Sequence, residues 1–166
     1  MWAPHIIKPG QVSNAYVSST DLYATLLGLL EFTDETEMNN LPSRDFSNLL
    51  TDDGCNWNDE VYIEQEETRA IRTPEWSYVE RFKGSKTYTL EDELYDLTKD
   101  PDERNNVAGQ TKTSKKEHEL STRLNDFFGA HADPRFDLWN GGTVKSNTSR
   151  PWLWKDAWGS KWQPVT

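Results

Sequence analysis

The stretch from Glu60 to Asn106 constrains the fold more than any other part of the chain. Val61 to Ile63, Arg69 to Thr73, Trp76 to Phe82 and Leu94 to Leu97 are short runs rich in β-branched and aromatic residues, separated by polar or Pro/Gly punctuation. Consecutive antiparallel strands read this way, so the expectation is a small β-meander in an α+β chain. Within Trp76 to Phe82 the alternation places Trp76, Tyr78, Glu80 and Phe82 on one face and Ser77, Val79 and Arg81 on the other. One face is therefore largely apolar and must be covered. Thr73 and Pro74 supply the reversal before it, since proline fixes φ in a tight turn and donates nothing to a ladder.

The cover is expected downstream. Ser114 and Glu117 read as a capping box, and Leu120, Leu124, Phe127 and Phe128 recur on one side until Gly129, where the helix is expected to stop. Upstream, Ser18 and Asp21 make a similar start for a helix from Ser18 to Leu30, whose stripe of Leu22, Tyr23, Leu26, Leu27 and Leu30 needs a surface to pack on. His5, Ile6 and Ile7 before Pro9-Gly10 read as the end of a buried strand, and Phe46, Leu49 and Leu50 as one short turn of helix. Three parts result: a terminal segment over residues 1–50, strands plus helix over 51–132, and a Trp-rich extension over 133–166 that holds five of the 8 Trp.

Composition limits what such a chain can do. Only 34% of residues are hydrophobic, yet 12% are aromatic, which marks a folded but thinly cored polypeptide rather than a disordered one. A formal net charge of -10 repels phosphate, so nucleic acid and anionic membranes are excluded as partners. The single cysteine, Cys55, excludes an internal disulfide and a Cys-based zinc site. No apolar run approaches the ~20 residues of a membrane span, and the opening residues lack the basic region and apolar core of a signal peptide.

The segments PHIIKPGQV, TDLYATLL (Thr20 to Leu27), RDFSNLL, RAIRTPEWSYV and ELYDLTKDPDERNNVAG follow one another in an order that resembles the C-terminal portion of a type I sulfatase of the alkaline-phosphatase-like superfamily. The likeness runs roughly from Pro4 to Phe128, and its most specific element is ELYDL-x-x-DP-x-E-x-N. The tail WNGGTVKSNTSRPWLWKDAWG resembles extensions on some bacterial members. The resemblance implies that the helix at Thr20 closes a large α/β sheet domain, while the meander and the last helix form a small C-terminal subdomain. It implies hydrolysis of sulfate esters, on a sulfated carbohydrate, in a periplasmic or secreted enzyme. It further implies a formylglycine made from the first residue of C/S-x-P/A-x-R, a calcium ion held by Asp and Asn/His, and Lys and His residues that handle the sulfate. All of these lie upstream of the matched region. The chain is thus expected to hold no catalytic residue, metal or cofactor of its own, with an N-terminal sulfatase domain as its partner; whether it is an enzyme by itself stays open.

Pro42-Ser43-Arg44 reproduces the tail of the formylglycine motif, but the nucleophile position falls on Asn40, whose amide cannot become an aldehyde. Cys55 has neither the Pro nor the Arg after it. His5, His118 and His131 read as non-catalytic, and Asp52, Asp53, Asp59 and Glu60 as a solvated acidic loop without the ligand alternation of a calcium loop. Arg69 and Arg72, with Trp76 across the turn, are the candidates for an anionic sulfated substrate, against a competing reading as structural ion pairs. Trp154, Trp158 and Trp162 share one helical face and are expected to dock the tail on another part of the protein; the alternative is stacking on a glycan, in a stand-alone carbohydrate-binding or interaction module.

Overall fold

The β-branched and aromatic runs form four strands: β1 (Val61–Gln65), β2 (Thr68–Arg72), β3 (Trp76–Arg81) and β4 (Glu93–Asp96). The computed structural model describes residues 7, 9–32, 41–51, 56–65, 68–82, 91–135 and 137–140. The strands lie side by side in chain order, each antiparallel to the next. Their register aligns Tyr62, Ile71, Tyr78 and Leu94 across the sheet on one face. Between β2 and β3 the Thr73 amide donates to the Trp76 carbonyl at 2.8 Å, and the Trp76 amide donates to Thr73 Oγ1 at 3.0 Å. The aligned face is covered as expected by α3 (Ser114–His131), whose Leu120, Leu124 and Phe128 join Ile71, Tyr78 and Leu94 in one buried cluster. Phe127 stacks face to face on Tyr62 with ring centroids 3.9 Å apart. The result is a mixed α+β arrangement, a four-stranded antiparallel sheet followed by a C-terminal helix.

Both ends of α3 differ from expectation. Gly129 does not stop it; the helix continues to His131, and the chain leaves it just before Asp133-Pro134, where a residue preceding proline is disfavoured in helical conformation. Nor do Ser114 and Glu117 cap each other. The Ser114 hydroxyl donates to the Thr111 carbonyl at 3.0 Å, while the Glu117 carboxylate reaches back to accept the Gly109 amide at 2.9 Å. Gly109 has φ of 71°, a left-handed conformation that explains glycine there.

The DP-x-E-x-N signature and the two residues after it, Asn106 and Val107, form a splint on the free side of β4. Asp100 Oδ2 accepts the Asn105 amide at 2.7 Å, and Asn106 Oδ1 accepts the amides of Leu94 and Ala108, both at 2.9 Å. The Val107 amide then donates to the Leu94 carbonyl at 2.8 Å, so the loop completes the edge that β4 would otherwise leave open.

In the first part, α1 (Asp21–Leu29) is shorter than the expected Ser18 to Leu30, because residues 18–20 form a turn whose Ser18 amide is held by Asp21 Oδ2 at 2.8 Å. The expected short helix is α2 (Ser47–Thr51). By its contacts the chain divides into two compact units, Met1–His131 and Ala132–Thr166; the second contains a 3-10 turn at Leu138–Asn140. His5, Ile6, Asp52, Asp53, Cys55 and the tryptophans Trp154, Trp158 and Trp162 lie outside the described residues.

Candidate functional site

Helix α1 is inverted. Its inward side carries Asp21, Ala24 and Thr25, all buried, and Gly28, where an added Cβ would meet the Asp45 carboxylate. These small and polar residues are held by specific partners. Asp21 accepts the Arg44 amide at 2.8 Å and the Arg44 guanidinium at 3.0 Å, while Thr25 Oγ1 donates to the Asp21 carbonyl and accepts the Phe46 amide. Ser43 Oγ accepts the Ala24 amide, an orphan donor of the first turn, and donates to the Thr20 carbonyl. The Pro42-Ser43-Arg44 sequence that mimics a formylglycine motif is therefore a clasp on α1. Its outward side holds Leu22, Tyr23, Leu26 and Leu30, with Leu26 50% and Leu30 76% exposed. Val17 and Phe32 are exposed as well, and a cleft of about 290 Å³ is lined by Val17, Leu22, Phe46, Leu49 and Leu50.

The substrate candidates are not brought together. Arg69 and Arg72 are three apart on one strand, so parity sends them to opposite faces of the sheet. Arg69 shares the covered face with Ile71 and is only 3% exposed; its guanidinium lies 4.2 Å over the Phe128 ring and pairs with Glu64 at 2.8 Å. Trp76 also faces the covered side, half-buried against the core cluster. Arg69 and Trp76 thus lie on the side covered by α3, apart from Arg72 on the opposite face. Arg72 alone looks out from the opposite face, where it pairs with Glu103. Burial would lower its pKa, but hydrogen bonds to Tyr16 and Glu103 outweigh this and raise it.

A second polar group sits on the same open face. Arg81 pairs with Glu93, and the Tyr95 hydroxyl donates to Glu93 Oε2 at 2.7 Å. Burial works to raise the Glu93 pKa, yet the bonds from Arg81 and Tyr95 prevail and lower it. Tyr95 is pushed up to about 12 by burial and by its carboxylate partner.

Glu60 is buried, contrary to the expected solvated loop, while Asp59 is half-buried. Asp59 Oδ1 accepts the Tyr16 amide, while Glu60 is buried, pairs with Arg123 and accepts the Tyr62 hydroxyl at 2.9 Å. Spacing alone could not reveal these partners, since Tyr16 and Arg123 are remote in sequence. His118 is exposed on α3, and the His131 ring lies 4.9 Å from that of Phe127. Among the described residues no group of three or more His, Cys, Asp or Glu side chains is placed to hold a metal ion. Of the described carboxylates, Asp21, Asp59 and Glu60 are each engaged by protein donors.

The sequence model of the family described as N-sulphoglucosamine sulphohydrolase, C-terminal, matches residues 1–129, and the chain belongs to that family. Among solved structures it is similar to yidJ of Bacteroides fragilis, assigned as a sulfatase, at 27% identity and TM-score 0.62, over 82% of this chain and 30% of that one. BT4656, solved with its substrate D-glucosamine-2-N,6-O-disulfate, shares the fold at 21% identity and TM-score 0.62, over 86% of this chain and 29% of that one. A Bacteroides thetaiotaomicron protein of glycosaminoglycan metabolism shares it at 18% identity and TM-score 0.58, over 80% and 30%. The chain thus spans about 30% of the length of these structures. No curated protein matches it.

Proposed function

We propose that the chain is the C-terminal part of a sulfatase, a hydrolase of sulfate esters on a carbohydrate, in which it supplies structure and one wall of the substrate cleft while the reacting groups come from the N-terminal part. The observation that supports this best is the inversion of α1, with Asp21 and Thr25 buried and Leu26 and Leu30 exposed, in a chain of the sulfatase C-terminal family. A helix that buries polar residues on one side and shows leucines on the other is a middle layer, not an outer one. Formylglycine and calcium belong, in this reading, to the N-terminal part. Substrate contact narrows to Arg72, whose outward guanidinium suits a sulfate oxyanion, and Trp154, Trp158 and Trp162 are assigned to docking the tail rather than to a glycan.

The test is an aryl sulfate assay of the isolated chain with calcium present. No turnover is expected. Turnover that survives repurification and disappears when a residue of this chain is changed would overturn the reading, and retention on a sulfated-polysaccharide gel by the chain alone would favour a glycan-binding module instead.

A further inference from the structure

We propose that Tyr16 is a second substrate-binding residue beside Arg72, its phenol O–H donating to the same sulfate oxyanion that the Arg72 guanidinium meets; this rests on the function proposed above. Arg72 makes a side-chain hydrogen bond with Tyr16. A guanidinium has donors only, so in that bond the phenol oxygen accepts, and its own proton remains to be given. A sulfate oxyanion offers oxygens and no hydrogens, which suits two donors presented side by side. Glu103 makes the second donor matter. It pairs with Arg72 Nη1 and offsets much of its charge, so an oxyanion is held there by directed hydrogen bonds more than by net charge. Glu103 does this from φ of 55°, a conformation that residues other than glycine seldom adopt. Tyr16 is itself fixed. Its amide donates to Asp59 Oδ1, and its carbonyl accepts Trp57 Nε1 at 3.0 Å and Arg44 Nη2 at 3.5 Å, so three residues remote in sequence hold the backbone beneath the ring. Donors placed in advance lose little freedom on binding, and both Tyr16 and Arg72 are half-buried, with surface left to meet a ligand. A ring that served only as a wedge against Arg72 would need no hydroxyl.

The probe is inorganic sulfate, titrated into the chain against sodium chloride of equal ionic strength, with the backbone and guanidinium N–H signals at residues 16 and 72 followed by NMR. The wild-type chain is expected to show a saturable shift with sulfate and none with chloride. Tyr16→Phe keeps the ring and the backbone anchors, so it should weaken sulfate by about three- to tenfold, the worth of one hydrogen bond, with the melting temperature unchanged. Arg72→Gln should lose the response, and Tyr16→Phe added to it should cost nothing further, as for two residues that act on one ligand. Equal affinity in the wild type and Tyr16→Phe would reduce Tyr16 to a support and overturn the proposal, leaving Arg72 as the contact. A loss of affinity that comes with a lowered melting temperature would give the hydroxyl a structural role and overturn it as well. If the wild type responds to sulfate no more than to chloride, the Arg72 contact and this proposal fall together, while the hydrolase reading still stands or falls on the aryl sulfate assay.

Discussion

Asn106, next to the family signature, has a structural role. Its Oδ1 satisfies the amide of Leu94, a residue with no exposed surface, and its Nδ2 donates to the Asp92 carbonyl at 3.0 Å. Asn106→Ala would strand that buried amide, a loss of about 1–3 kcal/mol. Neighbouring Asn105 contributes its backbone amide to Asp100, so Asn105→Ala should stay within about 0.5 kcal/mol. Denaturant melts of the two variants, compared at equal slope, check this; equal losses would mean that Leu94 finds another acceptor. Asn106 directly follows the last position of the signature, and the sequence cannot say that its partner is a strand edge 12 residues upstream, because loop closure and not periodicity brings them together.

At the scale of elements, local pattern and long-range pairing separate cleanly. The four strands, their order and the Leu120, Leu124, Phe128 stripe were legible because period 2 and period 3.6 are set by the backbone alone. Three features were not. The inward side of α1 is chosen by Ser43 and Arg44, which a helical wheel does not contain; α3 passes Gly129 because interior glycine only costs stability and does not end a helix; and strand parity separates Arg69 from Arg72. The open face of the sheet adds a pH dependence. Tyr95 keeps its proton to about 12 in the folded chain against 10.0 for the free group, so its contribution is complete below pH 10 and lost as pH rises from 10 toward 12. Glu93, lowered by Arg81 and Tyr95, acts oppositely: its contribution is complete above 4.5 and lost as pH falls through its folded value. Tyr95→Phe should therefore flatten the alkaline loss of stability while acid sensitivity persists through Arg81. Tyr62 and Tyr78, both raised by burial, keep the remainder of the alkaline slope. Thermal melts across pH 9–12 report the difference, and an unchanged alkaline slope would place the Tyr95 hydroxyl in water.

The whole molecule raises the question of what joins the α1 segment to the sheet. Contacts gather Met1–His131 into one unit, yet the α1 segment and the sheet with α3 have separate buried centres, Ala24, Thr25, Phe46 and Leu49 in one and the Ile71 cluster in the other. Arg44 is one of the side chains that span them, beside the hydrogen bond between Tyr16 and Arg72. It pairs with Asp21 on α1, donates to the Asn58 carbonyl at 2.7 Å just before β1, and lies 4.4 Å over the Trp57 ring. Trp57 in turn donates to the Tyr16 carbonyl at 3.0 Å. Removing the guanidinium would leave the Asp21 carboxylate, 1% exposed, without its countercharge. Breaking a fully buried pair costs about 3–5 kcal/mol, and the partial exposure of Arg44 reduces this to roughly 2 kcal/mol. The loss should fall on one side of the joint. In Arg44→Ala, amide hydrogen exchange should accelerate in residues 11–29 and change little in β2, β3 and α3, where Ile71, Tyr78, Leu94, Leu120 and Leu124 are untouched. Arg44→Lys should restore only part of the protection, since an ammonium keeps the charge for Asp21 but not the fork that reaches Asn58 or the plane that covers Trp57. Uniform acceleration across both regions would show instead that the α1 segment and the sheet fold as a single cooperative body.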